Sequence, residues 1–547
     1  MAHKILKIHP DDNVFVALTD LAKNEPLEYN GTSIPVAETI RAKHKFTEAE
    51  IKKGDPVIMY GTLVGIASET IEKGSALTTH NVSHKAHSFS EKTTTASWEA
   101  LQVPQWASRT FLGYHRADGQ VGTANYWLVI PLVFCENRNV EVMKEAFLEE
   151  LGFLRPNRYK KYVQQMAQLY REGRSIDIET IMPEDDTAFS ERLFPNVDGI
   201  KFLTHQGGCG GTREDAEMLC SLIAGYLHNP NVAGATVLSL GCQNAQIHIL
   251  QEKLQEKNPD FQKPLFILEQ QQEGTEAQLL SKAIKQTFTG LMEVNKLQRS
   301  PAPLNKLTIG LECGGSDGFS GISANPAVGH VSDIIASLGG TTLLAEFPEL
   351  CGVEQELINR CTHKAISQKF IQLMRTYARS AEAAGSGFDM NPSPGNIKDG
   401  LITDAMKSAG AAKKGGTSPV TDVLDYAETA TKPGLNLLCT PGNDVESTTA
   451  LAGSGATIIL FTTGLGTPTG NPIAPVIKIA SNSELAKRMP DIIDVDTGAI
   501  ITGGENIAQA GEKLLDFIVK VASGELRTKA QKLHQDDFIP WKRGISL

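Results

Sequence analysis

The sequence has no Cys-x-x-Cys pair, no Gly-x-x-x-x-Gly-Lys-[Ser/Thr] loop and no excess of basic residues. The first absence removes zinc ribbons and thioredoxin-type redox motifs. The second removes the phosphate cradle of P-loop enzymes. Lysine and arginine total 52 against 63 aspartates and glutamates, a formal net charge of −11. Nucleic acid is therefore not an expected partner, because a phosphate backbone needs a basic footprint. A small anion is not excluded, since a few local cations hold one whatever the global charge. No apolar run approaches the roughly 18 residues of a membrane span. The opening residues Met1 to Pro10 lack the apolar stretch and small-residue cleavage site of a signal peptide. No membrane partner and a cytoplasmic location are the expectations. Internal repeats and coiled-coil heptads are also missing.

What is present is ordinary for a globular protein. Of the 547 residues, 41% are hydrophobic and 21% charged, and the length suggests about three domains. Residues 1–82 carry short β-branched runs punctuated by glycine, such as Val14-Phe15-Val16-Ala17 and Pro56-Val57-Ile58-Met59, and predict a small β module. Residues 83–106 are polar, with a Thr93-Thr94-Thr95 run, and read as a linker. From residue 107 short apolar strands alternate with amphipathic helical stretches, the pattern of α/β domains. The polar, proline-containing stretch Gln298 to Pro303 divides this region into 107–300 and 301–547. The tail from Lys529 reads as loosely packed on the surface.

One arrangement recurs. A short apolar strand ends and a Gly-rich polar turn follows at once. Such turns begin at His205, Gly241, Glu312, Thr440 and Thr462. In open α/β sheets, ligands bind beyond the carboxyl ends of the strands. The Ser, Thr, Asn and Asp in these turns suit a polyhydroxylated ligand. Three of the eight cysteines, Cys209, Cys242 and Cys313, lie in such turns, and soft ligands converging on one crevice can hold iron. The other five are Cys135, Cys220, Cys351, Cys361 and Cys439; in a cytosolic chain all are expected to be reduced. The N-terminal module adds His44-Lys45, a base and a cation side by side, with Tyr60-Gly61 after a strand and His80-Asn81 closing the module.

On these residues the chain resembles the altronate/galactarate dehydratase family. The matching segments are Ile8-His9 with Asp12-Asn13-Val14, His44-Lys45, Tyr60-Gly61, Arg116-Ala117-Asp118-Gly119, and His205 with Cys209. They continue through Gly241-Cys242, Cys313-Gly314-Gly315-Ser316-Asp317, Ala324-Asn325-Pro326, Asn391 to Asn396 and Gly466-Thr467-Pro468. Pro433 to Leu438 with Pro441 to Asp444, and the Ile8–Val14 stretch, are closer to the altronate branch. Three positions depart from the family's pattern: Lys43 stands where glycine usually precedes the His-Lys pair, Gly208 precedes Cys209 where tyrosine usually precedes the Gly-Cys pair, and Gln243 stands where glutamate commonly follows Gly-Cys.

The resemblance implies an α/β protein overall, with an N-terminal SAF-like (β-clip) domain followed by two α/β domains. It implies elimination of water from a sugar acid such as altronate to a 2-keto-3-deoxy acid, and a divalent metal, Fe²⁺ with Mn²⁺ as the alternative. On that reading the metal lies near His205, Cys209, Cys242 and Cys313, with Asp317 as an extra ligand. His44, Lys45 and Tyr60 are the catalytic residues, and Ser316, Asn325, Asn396 and Thr467 bind substrate hydroxyls. Besides the small-molecule substrate, the partner expected at this size is a second copy in a homodimer. Two other readings compete: a dehydratase holding an iron–sulfur cluster on the same cysteines, and a sugar-acid binding protein without turnover.

Overall fold

The computed structural model describes residues 3–94, 97–154, 158–183 and 191–547. The N-terminal module is all β. Ile5–Leu6, Val14–Ala17 and Lys45–Thr47 form one antiparallel sheet, and Pro56–Met59, Thr62–Ala67 and Val82–Ser83 form another. Alternation does not govern the strand Val14–Ala17, which is buried on both faces. Phe15 packs on Phe46 and Tyr29 on one side, while Val14 and Val16 join the core of the C-terminal domain. This double burial docks the module: Val57 and Met59 share one apolar cluster with Ile322, Met406 and Ala409.

The two larger domains are parallel α/β sheets, as the alternating pattern predicts. The middle sheet has the strand order Gly199–Phe202, Tyr126–Pro131, Val232–Ser239, Leu265–Glu269. The C-terminal sheet has seven strands, in the order Val420–Leu424, Gly434–Leu438, Thr341–Leu344, Thr308–Cys313, Ile458–Thr463, Val476–Ala480, Val495–Asp496. Strands central to both sheets are buried on both faces, which explains their continuous apolar runs. In the C-terminal sheet the chain builds outward from Thr308–Cys313 in one direction, then returns to add Ile458–Thr463 on its other side. Ligand crevices of doubly wound sheets form at such a switch, beyond the carboxyl ends of the strands.

Three expectations change in detail. The boundary near residue 300 is not a free joint, because Ser300–Pro303 pairs antiparallel with Thr110–Gly113. The stretch 83–106 is not a free tether either. Ser90 and Thr93 donate backbone N–H bonds to the side chains of Gln355 and Asn359, Lys92 bonds the Cys361 carbonyl, and Leu101 bonds Ser337. The tail is tied down rather than loose: Trp541 packs against Tyr377 and meets Tyr426 edge-on, the Gly470 N–H donates to Asp537, and Arg543 pairs with Asp425. Polar composition concealed this, because the tail's ties are hydrogen bonds and aromatic contacts rather than an apolar face.

Candidate active site

The five Gly-rich turns do follow strand ends, but they belong to two sheets. Those at His205 and Gly241 rim the middle sheet; those at Glu312, Thr440 and Thr462 rim the C-terminal sheet. The five residues read as a metal set are divided accordingly. His205, Cys209 and Cys242 lie on the middle domain, and Cys313 and Asp317 on the C-terminal domain. His205 has both ring nitrogens engaged, Nε2 with the Pro131 carbonyl at 2.7 Å and Nδ1 with the Gly207 N–H at 3.1 Å. Cys209 and Cys242 are exposed.

Asp317 is saturated. Its Oδ1 accepts from the Phe319 and Ser320 N–H groups and from the Ser320 and Ser481 hydroxyls, and its Oδ2 accepts from Asn482. Lys43 reaches it from the SAF-like module at 3.0 Å and also pairs with Asp399 at 3.0 Å. Lys43 holds φ at +75°, the left-handed region glycine favours, which accounts for glycine in the family's pattern.

Lys45 follows two residues later, at the start of the strand Lys45–Thr47, fully buried, with its amine on the carbonyls of Lys43 at 3.0 Å and Gly400 at 2.7 Å. Burial pushes it down to about 7; Asp317 opposes and Lys43 assists. His44 is half-buried, with Nδ1 on the Ala42 carbonyl at 3.2 Å, and burial lowers it. Tyr60, at φ +58°, inserts its hydroxyl beside Gly321 and Gly410. A Cβ on Gly321 would lie 2.2 Å from that oxygen, so only glycine fits. Burial raises the phenol well above its ordinary value, so it stays protonated. His44, Lys45 and Tyr60 thus come from the module to the edge of the C-terminal domain's crevice.

The residues read as hydroxyl binders line the same region with mixed freedom. Ser316 and Asn396 are buried together, the Asn396 amide donating to the Ser316 carbonyl at 2.7 Å. Asn325 is a framework residue, accepting from Thr462 at 2.6 Å and donating to the Gly410 carbonyl at 3.0 Å. The Thr467 hydroxyl shares a hydrogen bond with Thr469.

Behind this junction lies a cluster of which the sequence announced only Cys313. Cys313, Glu346 and Glu349 are buried, with donor atoms all within 4.8 Å of one another. Lys414 sits 2.8 Å from both the Cys313 sulfur and Glu346 Oε2, and Lys407 sits 2.6 Å from Glu349 Oε1. Glu312 and Asp444 add two more carboxyls beside them, one bonded by Ser447 and the other packed on Gly314. Four carboxyls thus meet two ammonium groups. Burial, then the neighbouring carboxylates, push Glu312 and Glu346 up, and Asp444 up to about 7. Burial works the same way on Glu349, but Lys407 and Lys414 outweigh it and hold that carboxyl down. Oε1 of Glu346 and Oε1 of Glu312 are buried with no hydrogen-bond partner, and Glu346 sits at φ +68°, a strained geometry of the kind found at functional sites.

One segment joins the two groups. Asn391 reaches Lys407 and Glu349, Asn396 reaches Ser316, and Asp399 and Gly400 reach Lys43 and Lys45. The result is a buried, cation-balanced acidic cluster at the strand ends, flanked by lysines, a histidine and a tyrosine that another domain supplies. Such a set can hold an acid and move protons at its neighbouring carbon.

Comparison with known proteins agrees along the whole chain. Residues 3–85 match the altronate/galactarate dehydratase SAF domain, residues 113–295 the second domain of D-galactarate dehydratase/altronate hydrolase, and residues 304–546 the C-terminal domain of D-galactarate/altronate dehydratase. The chain is a hydro-lyase. Altronate dehydratase of Bacillus subtilis is 33% identical over 99% of both chains, and that of Escherichia coli is 33% identical over the same shares. Galactarate dehydratase (L-threo-forming) of E. coli is 30% identical over 96% of this chain and 93% of its own. The chain belongs to the altronate/galactarate dehydratase family.

Proposed function

We propose that this chain dehydrates altronate to 2-dehydro-3-deoxygluconate with the help of a divalent cation. The observation that carries the reading is Lys45, a buried amine held at about 7 at the seam between the SAF domain and the strand-end crevice. The proton on C2 of a sugar acid is barely acidic, so its removal needs a base whose neutral form is populated near neutrality. Lys45 supplies one. The Tyr60 hydroxyl, held protonated, donates to the C3 hydroxyl as it leaves. His44 stands beside Lys45 as a second proton carrier, and Ser316 and Asn396 orient the substrate's hydroxyls.

Cys313, Glu346 and Glu349 fit a divalent cation. Their donors lie close together, one carboxylate oxygen has no partner, and the surplus of buried carboxyls calls for protons or a cation. A cation there supplies Lewis-acid stabilisation of the negative charge that builds on the substrate carboxylate, worth several kcal/mol. Altronate ahead of galactarate follows the slightly higher identity to the altronate dehydratases and the match at Pro433 to Asp444.

The test is chelator-stripped protein assayed for 2-keto-3-deoxy acid formation from altronate, galactarate, mannonate and gluconate, with Fe²⁺, Mn²⁺, Mg²⁺ or Zn²⁺ added back. Turnover of altronate restored by Fe²⁺ or Mn²⁺ is the expected result. Turnover of galactarate alone would keep the chemistry and overturn the substrate. Full activity after stripping would remove the cation.

A further inference from the structure

We propose that Cys135, Cys209 and Cys242 hold an iron–sulfur cluster at the carboxyl edge of the middle-domain sheet, a site separate from the crevice above. Free cysteine is among the most buried of residue types. Five of the eight here follow that rule, as buried or half-buried thiols, and the three exposed ones are Cys135, Cys209 and Cys242. They are not scattered. Each follows the carboxyl end of one of three adjacent parallel strands, Tyr126–Pro131, Gly199–Phe202 and Val232–Ser239.

The loops that carry them are stitched together. The Phe134 N–H donates to the Gly207 carbonyl at 3.1 Å, and the N–H groups of Asn244 and Ala245 both donate to the Gly208 carbonyl, at 2.9 and 3.0 Å. Gly208 has φ +96°, and a Cβ there would lie 2.1 Å from the Leu132 carbonyl oxygen. A side chain at that position would push the Cys135 and Cys209 loops apart. The loops that carry Cys135, Cys209 and Cys242 are thus held to one another, whereas Cys313 belongs to the other sheet.

The surroundings favour a negatively charged group. The helices Arg213–His228 and Ile247–Lys257 begin just after the Cys209 and Cys242 loops, and helix N-termini attract negative charge. Gly208, Gly210 and Gly241 all have left-handed φ, and turns of that kind present backbone N–H groups to anions, iron–sulfur clusters included.

The spacing selects the kind of metal centre. Three thiolates on one ion at about 2.3 Å would lie within about 4 Å of one another, and these three sulfurs are not all within 4.8 Å of each other. They suit a polynuclear cluster whose thiolates bind different irons, each thiol releasing its proton as its iron–sulfur bond forms. With three protein thiolates, a four-iron cluster keeps one iron open to water or a substrate oxygen.

The experiment is anaerobic reconstitution of the full-length protein with iron and sulfide under a thiol reductant, followed by gel filtration. Visible absorbance, iron and acid-labile sulfide per chain are then measured. We expect a brown protein retaining both iron and sulfide. Cys135→Ser, Cys209→Ser and Cys242→Ser should each lose most of the colour and sulfide at unchanged far-ultraviolet circular dichroism, and Cys313→Ser and Cys351→Ser should keep them. Exposed positions tolerate serine, so loss of colour will not reflect loss of fold. A colourless wild type, iron bound without sulfide, colour that survives Cys135→Ser, or colour lost in Cys313→Ser would each overturn the site. The dehydration assay reads a different quantity. Colour without turnover removes the altronate reading and leaves the cluster; turnover without colour does the reverse.

Discussion

Replacing Lys43 by alanine and by glycine separates two opposing contributions at the seam between the SAF and C-terminal domains. The ammonium pairs with the fully buried Asp317 and with Asp399. Breaking a buried ion pair from one side costs about 3–5 kcal/mol. Asp317 keeps five other donors and Lys43 lies near solvent, so about 2–3 kcal/mol is the figure for Lys43→Ala. The backbone works the other way. A left-handed φ costs an L-residue about 1–2 kcal/mol, and glycine escapes that cost while losing about 0.5–1 kcal/mol to its freer unfolded chain. Lys43→Gly should therefore be more stable than Lys43→Ala by about 0.5–1 kcal/mol, with both below the native protein. Scanning calorimetry under matched conditions ranks the three by Tm. A second readout is kinetic. The Lys43 charge helps to hold Lys45 down, while Asp317 pulls it up. Without Lys43, Lys45 takes its proton at higher pH, so the acid limb of kcat against pH moves upward in both variants. A glycine variant less stable than the alanine variant, or an unmoved acid limb, would refute the reasoning.

Four further outcomes follow from the same geometry. Activity should fall as pH drops through about 7, where Lys45 gains its proton, and Lys45→Met should abolish turnover; a rate flat down to pH 5 counts against Lys45 as the base. In the unfolded chain Lys45 keeps its proton up to its ordinary value of 10.5, whereas in the folded protein it releases it near 7. Native stability relative to Lys45→Met should therefore rise with pH across that window and be level below it, and a pH-independent Tm gap would contradict this. Gly321→Ala should displace the Tyr60 hydroxyl and lower kcat at least tenfold in a folded protein; an unchanged kcat means that Tyr60 does not act. Lys414→Met strands Glu346 beside Cys313 and should destabilise the metal-free protein by about 3–5 kcal/mol, part of it recovered on adding Mn²⁺, as a shift in Tm would show.

The strands and their turns were legible in the sequence because a strand buried on both faces writes a continuous apolar run and glycine marks its end. Assignment of turns to sheets was not legible. Leu238-Ser239-Leu240 and Leu311-Glu312-Cys313 look alike as strings, and only the order of strands in space places one in the middle sheet and the other in the C-terminal sheet. Glu346, Glu349, Lys407 and Lys414 were missed because charged residues in such a chain are normally solvated. A signal was available in Glu346-Phe347-Pro348-Glu349, which follows the strand Thr341–Leu344 almost at once. Cys135 went unremarked because Pro131-Leu132-Val133-Phe134 reads as a strand's continuation, not as a turn. Lys43 shows the converse, a departure from the family's pattern visible in sequence whose ion pair only the structure reveals.

The tail that crosses between the two α/β domains has a consequence for biosynthesis. Lys201, Gly210 and Asp215 of the middle domain are bonded by Asp536, Leu547 and the Arg543–Gly544 backbone. The last strand of the middle sheet, Leu265–Glu269, leaves the ribosome some 270 residues earlier, roughly 15–55 s ahead at ordinary elongation rates. During that interval the rim bearing Cys209 has formed but is uncovered. In the nascent chain this rim therefore stands open until the tail closes beside Cys209.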